Sequence, residues 1–168
     1  MKRLLYWAAL LAACAGAAAA EPPAPPPAPP DDVEVLVDGG VGVAKKELAE
    51  RGELAPFAYF VTLDGRVQRL TPKQGVKLPP SEAMLELLQA LFRERAAAGE
   101  CRAVAVFADV VIGLPGGRQS DALQVGVEHS SGFCANYFYP YRRDADGTLR
   151  FEPPVTGPRQ GVVFDTCP

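Results

Sequence analysis

This chain is poor in the residues from which active sites are usually built. Its 168 residues contain a single histidine, His129. No GxSxG elbow, GxxxxGK[ST] phosphate loop or CxxC pair occurs, so no motif for a nucleophile, nucleotide or other cofactor is present. A basic cluster is also missing. The nearest approach, Arg142-Arg143, is followed at once by Asp144 and Asp146, the pattern of a solvated strand end. With 17 Lys+Arg against 20 Asp+Glu the chain is acidic, and nucleic-acid binding, which depends on neutralising phosphates, is disfavoured. Nowhere does an apolar run reach the roughly 20 residues of a membrane span.

What is present begins with an address. Lys2 and Arg3 precede an apolar run from Leu4 to Ala13, then an alanine-rich stretch, Glu21 and a proline tract. That order is the n-, h- and c-region of a bacterial-type secretory signal. Two processing routes fit. Ala18-Ala19-Ala20 before Glu21 suits signal peptidase and makes 1–20 the signal. Leu11-Ala12-Ala13-Cys14 resembles the lipobox of bacterial lipoproteins, a likeness that implies a signal of 1–13 and lipidation of Cys14. The expected location is periplasmic or extracellular, with outer-membrane anchoring on the second route, and Cys14 is the only expected link to a membrane. Loss of residues 1–20 removes Lys2 and Arg3. Lys+Arg falls from 17 to 15 against 20 acids, and the formal charge moves from -3 to -5.

Residues 21–30 hold seven of the chain's 17 prolines. A segment so short of amide donors favours a polyproline II rod, and ten residues extend about 30 Å. Residues 21–32 therefore form a linker between the export signal and a single domain over 33–168. In an oxidising compartment the remaining cysteines, Cys101, Cys134 and Cys167, can form one internal disulfide and leave one thiol over. Spacing does not decide the pair. A bond to Cys167, the penultimate residue, would pin an otherwise frayed terminus. Spacings of 33 residues match no zinc pattern, so no metal is expected.

Along the domain, Gly42 to Arg51 has helical composition, and Val33 to Val37 reads as a strand or a lead-in. Phe57 to Leu63 and Arg66 to Leu70 flank Asp64-Gly65, a hairpin signal. Ser81 opens the strongest helix, with Met84, Leu87, Leu88, Leu91 and Phe92 at helical spacing and Gly99 past its end. Arg102 to Ile112 is nearly all apolar and rich in valine, which implies a strand covered on both faces. Gly113 to Ser120 reads as a loop. Ala122 to His129 and Phe133 to Tyr141 alternate as strands, and Leu149–Phe151 and Gly161–Phe164 are candidate edge pieces. The order α-β-β-α-β-β-β with short turns predicts an α+β domain: one antiparallel sheet of about five strands with one or two helices on one face. It resembles the profilin-like and roadblock-like orders. The segments FAYFVTLDGRVQRL, AAAGECRAVAVFADV, DALQVGVEHSSG and FYPYRR resemble small uncharacterised bacterial domains of unknown function over roughly Phe57 to Phe164. That resemblance implies no activity.

Candidate site residues are few. His129 could pair with Ser120, Ser130, Ser131 or a cysteine, but Glu128 beside it points to the opposite face of its strand. Asp109 interrupts an apolar run and needs a partner, for which Arg118 or a backbone amide is the simplest choice. The tyrosine-rich strand joins apolar area to polar tips. These features favour a non-enzymatic binding module that meets an envelope protein or small ligand with a sheet face around Gln124, Glu128, Tyr137 and Tyr139. Alternatives are a small hydrolase using His129 or Asp109, and an envelope inhibitor or immunity-type protein. The export reading predicts a mature terminus at Glu21 or at lipidated Cys14. Mass spectrometry of protein recovered from its native cells checks this, and a cytosolic form that retains Met1 as the normal species contradicts it.

Overall fold

A computed structural model describes residues 28–70 and 81–167. The export signal, Cys14 and most of the proline tract lie outside the described residues. Two helices and seven strands follow in the order α1 Asp31–Arg51, β1 Phe57–Thr62, β2 Val67–Leu70, α2 Ser81–Ala97, β3 Cys101–Leu114, β4 Arg118–His129, β5 Cys134–Arg143, β6 Leu149–Phe151 and β7 Val155–Pro158. The class is α+β, with the expected element order. All strands join one antiparallel sheet ordered β2-β1-β3-β4-β5-β6, and β7 shares the outer edge of β5 with β6. The sheet is thus larger than the expected five strands.

The helices lie on opposite faces of the sheet rather than on one. Val33, Leu36, Val37, Ala44 and Leu48 of α1 pack on the odd-numbered side chains Phe57, Val61, Ala103, Ala105, Phe107, Leu123, Val125 and Val127. Met84, Leu88 and Phe92 of α2 pack on Ala58, Phe60, Val104 and Val106. Period-two alternation sends these two sets to opposite sides. The apolar run of β3 is the sequence trace of that double cover.

The first helix corrects the expectation of a strand or lead-in followed by a short helix. It runs unbroken from Asp31 through Gly39, Gly40 and Gly42 to Arg51 and starts inside the expected linker. Glycine lowers helix propensity by about 1 kcal/mol against alanine, but packing reverses the argument at Gly40. A Cβ there would fall within the Phe107 ring. Phe107 is fully buried and stacks on Phe57 at 4.7 Å between centroids, so Gly40 is the notch that lets α1 approach the sheet. The helix ends at Gly52, whose φ of 77° allows its amide to donate to the Leu48 carbonyl.

Two further boundaries differ from the sequence reading. Strands β3 and β4 stay paired out to Leu114 and Arg118, so the Gly113 to Ser120 loop shrinks to a three-residue turn, Pro115-Gly116-Gly117. Val155–Pro158 is the added edge strand, and Gly161–Phe164 instead packs as an irregular tail on the α2 side. Cys134 and Cys167 form the disulfide, with Cα atoms 5.8 Å apart, and Cys101 is buried and free. Gly40→Ala should destabilise the domain by about 1–3 kcal/mol, the cost of overpacking, whereas Gly39→Ala, with open space around it, should be neutral or stabilising. Chemical denaturation of both variants checks the contrast.

Candidate functional site

The tail of the chain is held by a buried carboxylate. Glu128 lies near the end of β4 on the α2 side and is 0% exposed. The Arg159 Nε donates to its Oε1 at 2.9 Å, and the second guanidinium nitrogen approaches the same oxygen at 2.9 Å. Amides of Val162, Val163 and Phe164 donate to Oε2 at 3.0, 2.7 and 3.3 Å. A buried carboxylate is tolerable only with such saturation. Gly126 makes the arrangement possible, because any Cβ there would collide with the Arg159 guanidinium. Asn136 links the clasp to its surroundings. Its Oδ1 accepts from Gln124 Nε2 at 3.1 Å, and its Nδ2 donates to the Pro158 carbonyl at 2.9 Å.

This geometry corrects the proposed recognition face. Gln124 and Glu128 lie on one side of the sheet. Tyr137 and Tyr139, opposite Val125 and Leu123 in the β4–β5 register, lie on the other side, under α1. The four cannot form one surface, and Glu128 has no exposure to offer. Gln124 is half-buried and engaged with Asn136. Tyr139 is also half-buried. Lys45 sits over its ring at 5.3 Å and over Phe151 at 4.7 Å. Burial, then the nearby Asp38, raises its phenol pKa.

Asp109 and Arg118 also separate. Asp109 accepts from the Tyr141 hydroxyl at 2.8 Å, and Arg118 stands exposed at the hairpin tip opposite Leu114. Burial raises the Asp109 carboxyl above its usual range, and the Tyr141 bond opposes that rise. Burial and the same bond push the Tyr141 phenol upward.

His129 belongs to a clamp that no sequence motif signals, because its partner Asp32 lies within the expected linker, 97 residues away. Asp32 in the first turn of α1 receives Arg102 through Nε at 2.7 Å and a terminal nitrogen at 3.0 Å. His129 Nε2 lies 3.4 Å from Asp32 Oδ2. Hydrogen bonding from Arg102 holds the Asp32 carboxyl below its usual range. Ser131 Oγ is 2.8 Å from His129 Nδ1, so serine, imidazole and carboxylate stand in a row. The Ser131 amide already donates to Nδ1 at 3.0 Å. The amide and the hydroxyl of Ser131 thus share one imidazole nitrogen within a two-residue turn. The row ties α1 to β3 and β4 across Ser130-Ser131-Gly132. Asp109 takes no part in it.

A concavity lies elsewhere, on the α1 side of the β5–β7 edge. It measures about 680 Å³ and is lined by Ala28, Pro29, Phe133, Tyr137, Thr156 and Pro158, among others. A smaller hollow of about 320 Å³ shares Pro29 and Tyr137 and adds Glu34, Val37 and Asp38. Burial, then Glu34, raises the Tyr137 phenol pKa. Among the described residues no group of three or more His, Cys, Asp or Glu side chains is placed to hold a metal ion.

No protein-family model, curated protein or solved structure matches this chain.

Glu128→Ala should cost about 3–5 kcal/mol, the scale for breaking a buried ion pair and leaving one partner charged and alone. Amide exchange at Val162, Val163 and Phe164 should accelerate even with the disulfide intact. Slow exchange in a folded Glu128→Ala protein would show that the disulfide alone holds the tail.

Proposed function

We propose that this chain is an exported, non-enzymatic binding module, and that it takes a small ligand or a segment of an envelope protein in the groove beside Tyr137. The observation that carries the proposal is the 680 Å³ groove, walled by Phe133, Tyr137 and Pro158 and continued by the hollow at Glu34 and Asp38. Ligand sites are commonly concave, mostly apolar and furnished with a few polar groups. Tyr137 offers both, with its ring in the wall and a hydroxyl at the polar end. The groove begins where the chain enters α1 at Ala28 and Pro29, so the expected proline spacer would present it away from an anchor. The hydrolase alternative has less support, because His129 and Asp109 each hold a structural partner and neither lines the groove.

Capture from a native envelope fraction on immobilised protein, read by quantitative mass spectrometry, tests the proposal. Tyr137→Ala should weaken recovery of the enriched species by about tenfold, matching the ~1 kcal/mol or more lost when an aromatic anchor is truncated. His129→Ala should retain that species. Melting curves for both variants accompany the assay. A folded Tyr137→Ala protein that captures as wild type does, beside a folded His129→Ala protein that fails, would overturn the proposal in favour of chemistry at His129.

A further inference from the structure

The β3–β4 hairpin extends beyond the rest of the sheet. Strand β1 pairs with β3 only as far as Phe57 opposite Phe107. The residue before Phe57 is Pro56, which has no amide hydrogen to continue the ladder. From Ala108 to Leu114, β3 is paired on the β4 side alone, and among the described residues nothing pairs with its other edge.

The direction of the backbone groups on that edge follows from the register. The Arg102 carbonyl accepts from the Ser130 amide, so it points toward β4. Successive residues of a strand point to alternate sides, and the β3–β4 register is continuous from Ala103 to Leu114. Even-numbered residues of β3 therefore face β4, and odd-numbered ones face β1 or, past Phe107, the open edge. The β1 strand agrees, since the Thr62 amide bonds to Arg66 on the β2 side. Asp109, Val111 and Gly113 thus present their amides and carbonyls outward.

Natural sheets protect such an edge with lysine, proline, a bulge or a covering loop. Among the described residues this edge carries no lysine or proline, its β3–β4 register is unbroken, and Asp109 is its one charge. Its sequence from Ala108 is Ala-Asp-Val-Val-Ile-Gly-Leu. Val111 is 65% exposed, the most exposed large hydrophobic among the described residues. Val110, Ile112 and Leu114 form a half-buried apolar row on the opposite face.

We infer that the open edge of β3 pairs with the same edge of a second copy of this chain, antiparallel about a two-fold axis beside Val111 and Ile112. Self-complementarity favours this occupant over an unrelated strand. An antiparallel pairing brings the rows Val110, Ile112, Leu114 of both copies onto one face as a continuous apolar strip. The outward groups of Val111 and Gly113 meet their counterparts and satisfy each other. The only charge on the edge, Asp109, bonds to Tyr141 on the α1 side. It stands at least four residues from its twin, about 13 Å at the rise of a strand and beyond the screening length in physiological salt. The contact is shorter than a standard interface of about 1,600 Å², so the association is weak, with Kd on the order of 100 µM.

Sedimentation of the full mature protein up to about 1 mM tests the inference, a range that brackets a weak dimer. Wild type should pass reversibly from monomer to dimer. Gly113→Pro removes an outward amide that the monomer does not use, and Val111→Lys places two cations beside the axis. Each should weaken association by about tenfold or more and leave the melting temperature unchanged. If both variants unfold, amide exchange in wild type decides. Protection of Val111 and Gly113 that rises with concentration supports the pairing, and equal, fast exchange at every concentration overturns it. A wild-type protein that stays monomeric throughout overturns it, as does a dimer unaffected in both folded variants.

Discussion

A carboxylate taken wholly out of water costs several kcal/mol unless nearly every lone pair is engaged, and Glu128 meets that condition only through the tail. Arg159 and three successive amides must come to it, so the segment from Arg159 to Phe164 is drawn onto the α2 side of β4. Cys134 stands directly opposite Glu128 in the β4–β5 register. The disulfide to Cys167 and the carboxylate clasp therefore close the same loop at neighbouring points. Arg159 follows β7 immediately, and the Asn136 amide nitrogen donates to Pro158. The clasp consequently fixes β7 against β5 and, with it, one wall of the Tyr137 groove on the opposite face. Groove shape on the α1 side thus depends on a buried charge on the α2 side.

How far the sequence disclosed this varies with how local each cause is. Class and element order were legible because strands, turns and the α2 stripe are written in short-range periodicity. The double cover of β3 was also legible in its unbroken apolar run, although the helices themselves do not say which face each takes. The Gly39-Gly40-Gly42 stretch misled, since a notch for an aromatic ring more than sixty residues away has the same local composition as a helix break. Glu128 misled more deeply. Gln124, Gly126 and Glu128 alternate with apolar residues as the wet face of a half-buried strand would. Here the polar row lies under the tail, and its partner Arg159 is remote in sequence. The clue available was Gly126, whose missing side chain makes room for a guanidinium.

Tyr137 and Tyr139 show the same limit. Their alternation established a strand, but parity alone could not choose between two faces that are both partly covered. Packing made the choice. Helix α1 crosses β1, β3 and β4 and reaches β5 only with its flank, where Glu34, Asp38 and Lys45 approach the tyrosines. Tyr139 is covered by Lys45 and Phe151, whereas Tyr137, nearer the start of α1, borders open space. The candidate site is therefore a consequence of helix direction rather than of any motif.

That direction has its own cause in the Asp32 clamp. Arg102 and His129 sit on adjacent strands at the same end of the sheet, and both reach the first turn of α1. At the other end the Arg143 guanidinium donates to the Leu48 carbonyl in the last turn. An arginine thus meets each end of the helix: Arg102 joins the acidic first turn at Asp32, and Arg143 donates to the Leu48 carbonyl, which also accepts from the Gly52 amide. Between these fixed ends Gly40 sets the depth at which the helix lies. A helix pinned in direction at both ends and in height at its middle cannot roll toward β5 to close the strip beside Tyr137. The groove stays open because the interactions that stabilise α1 leave it no other position.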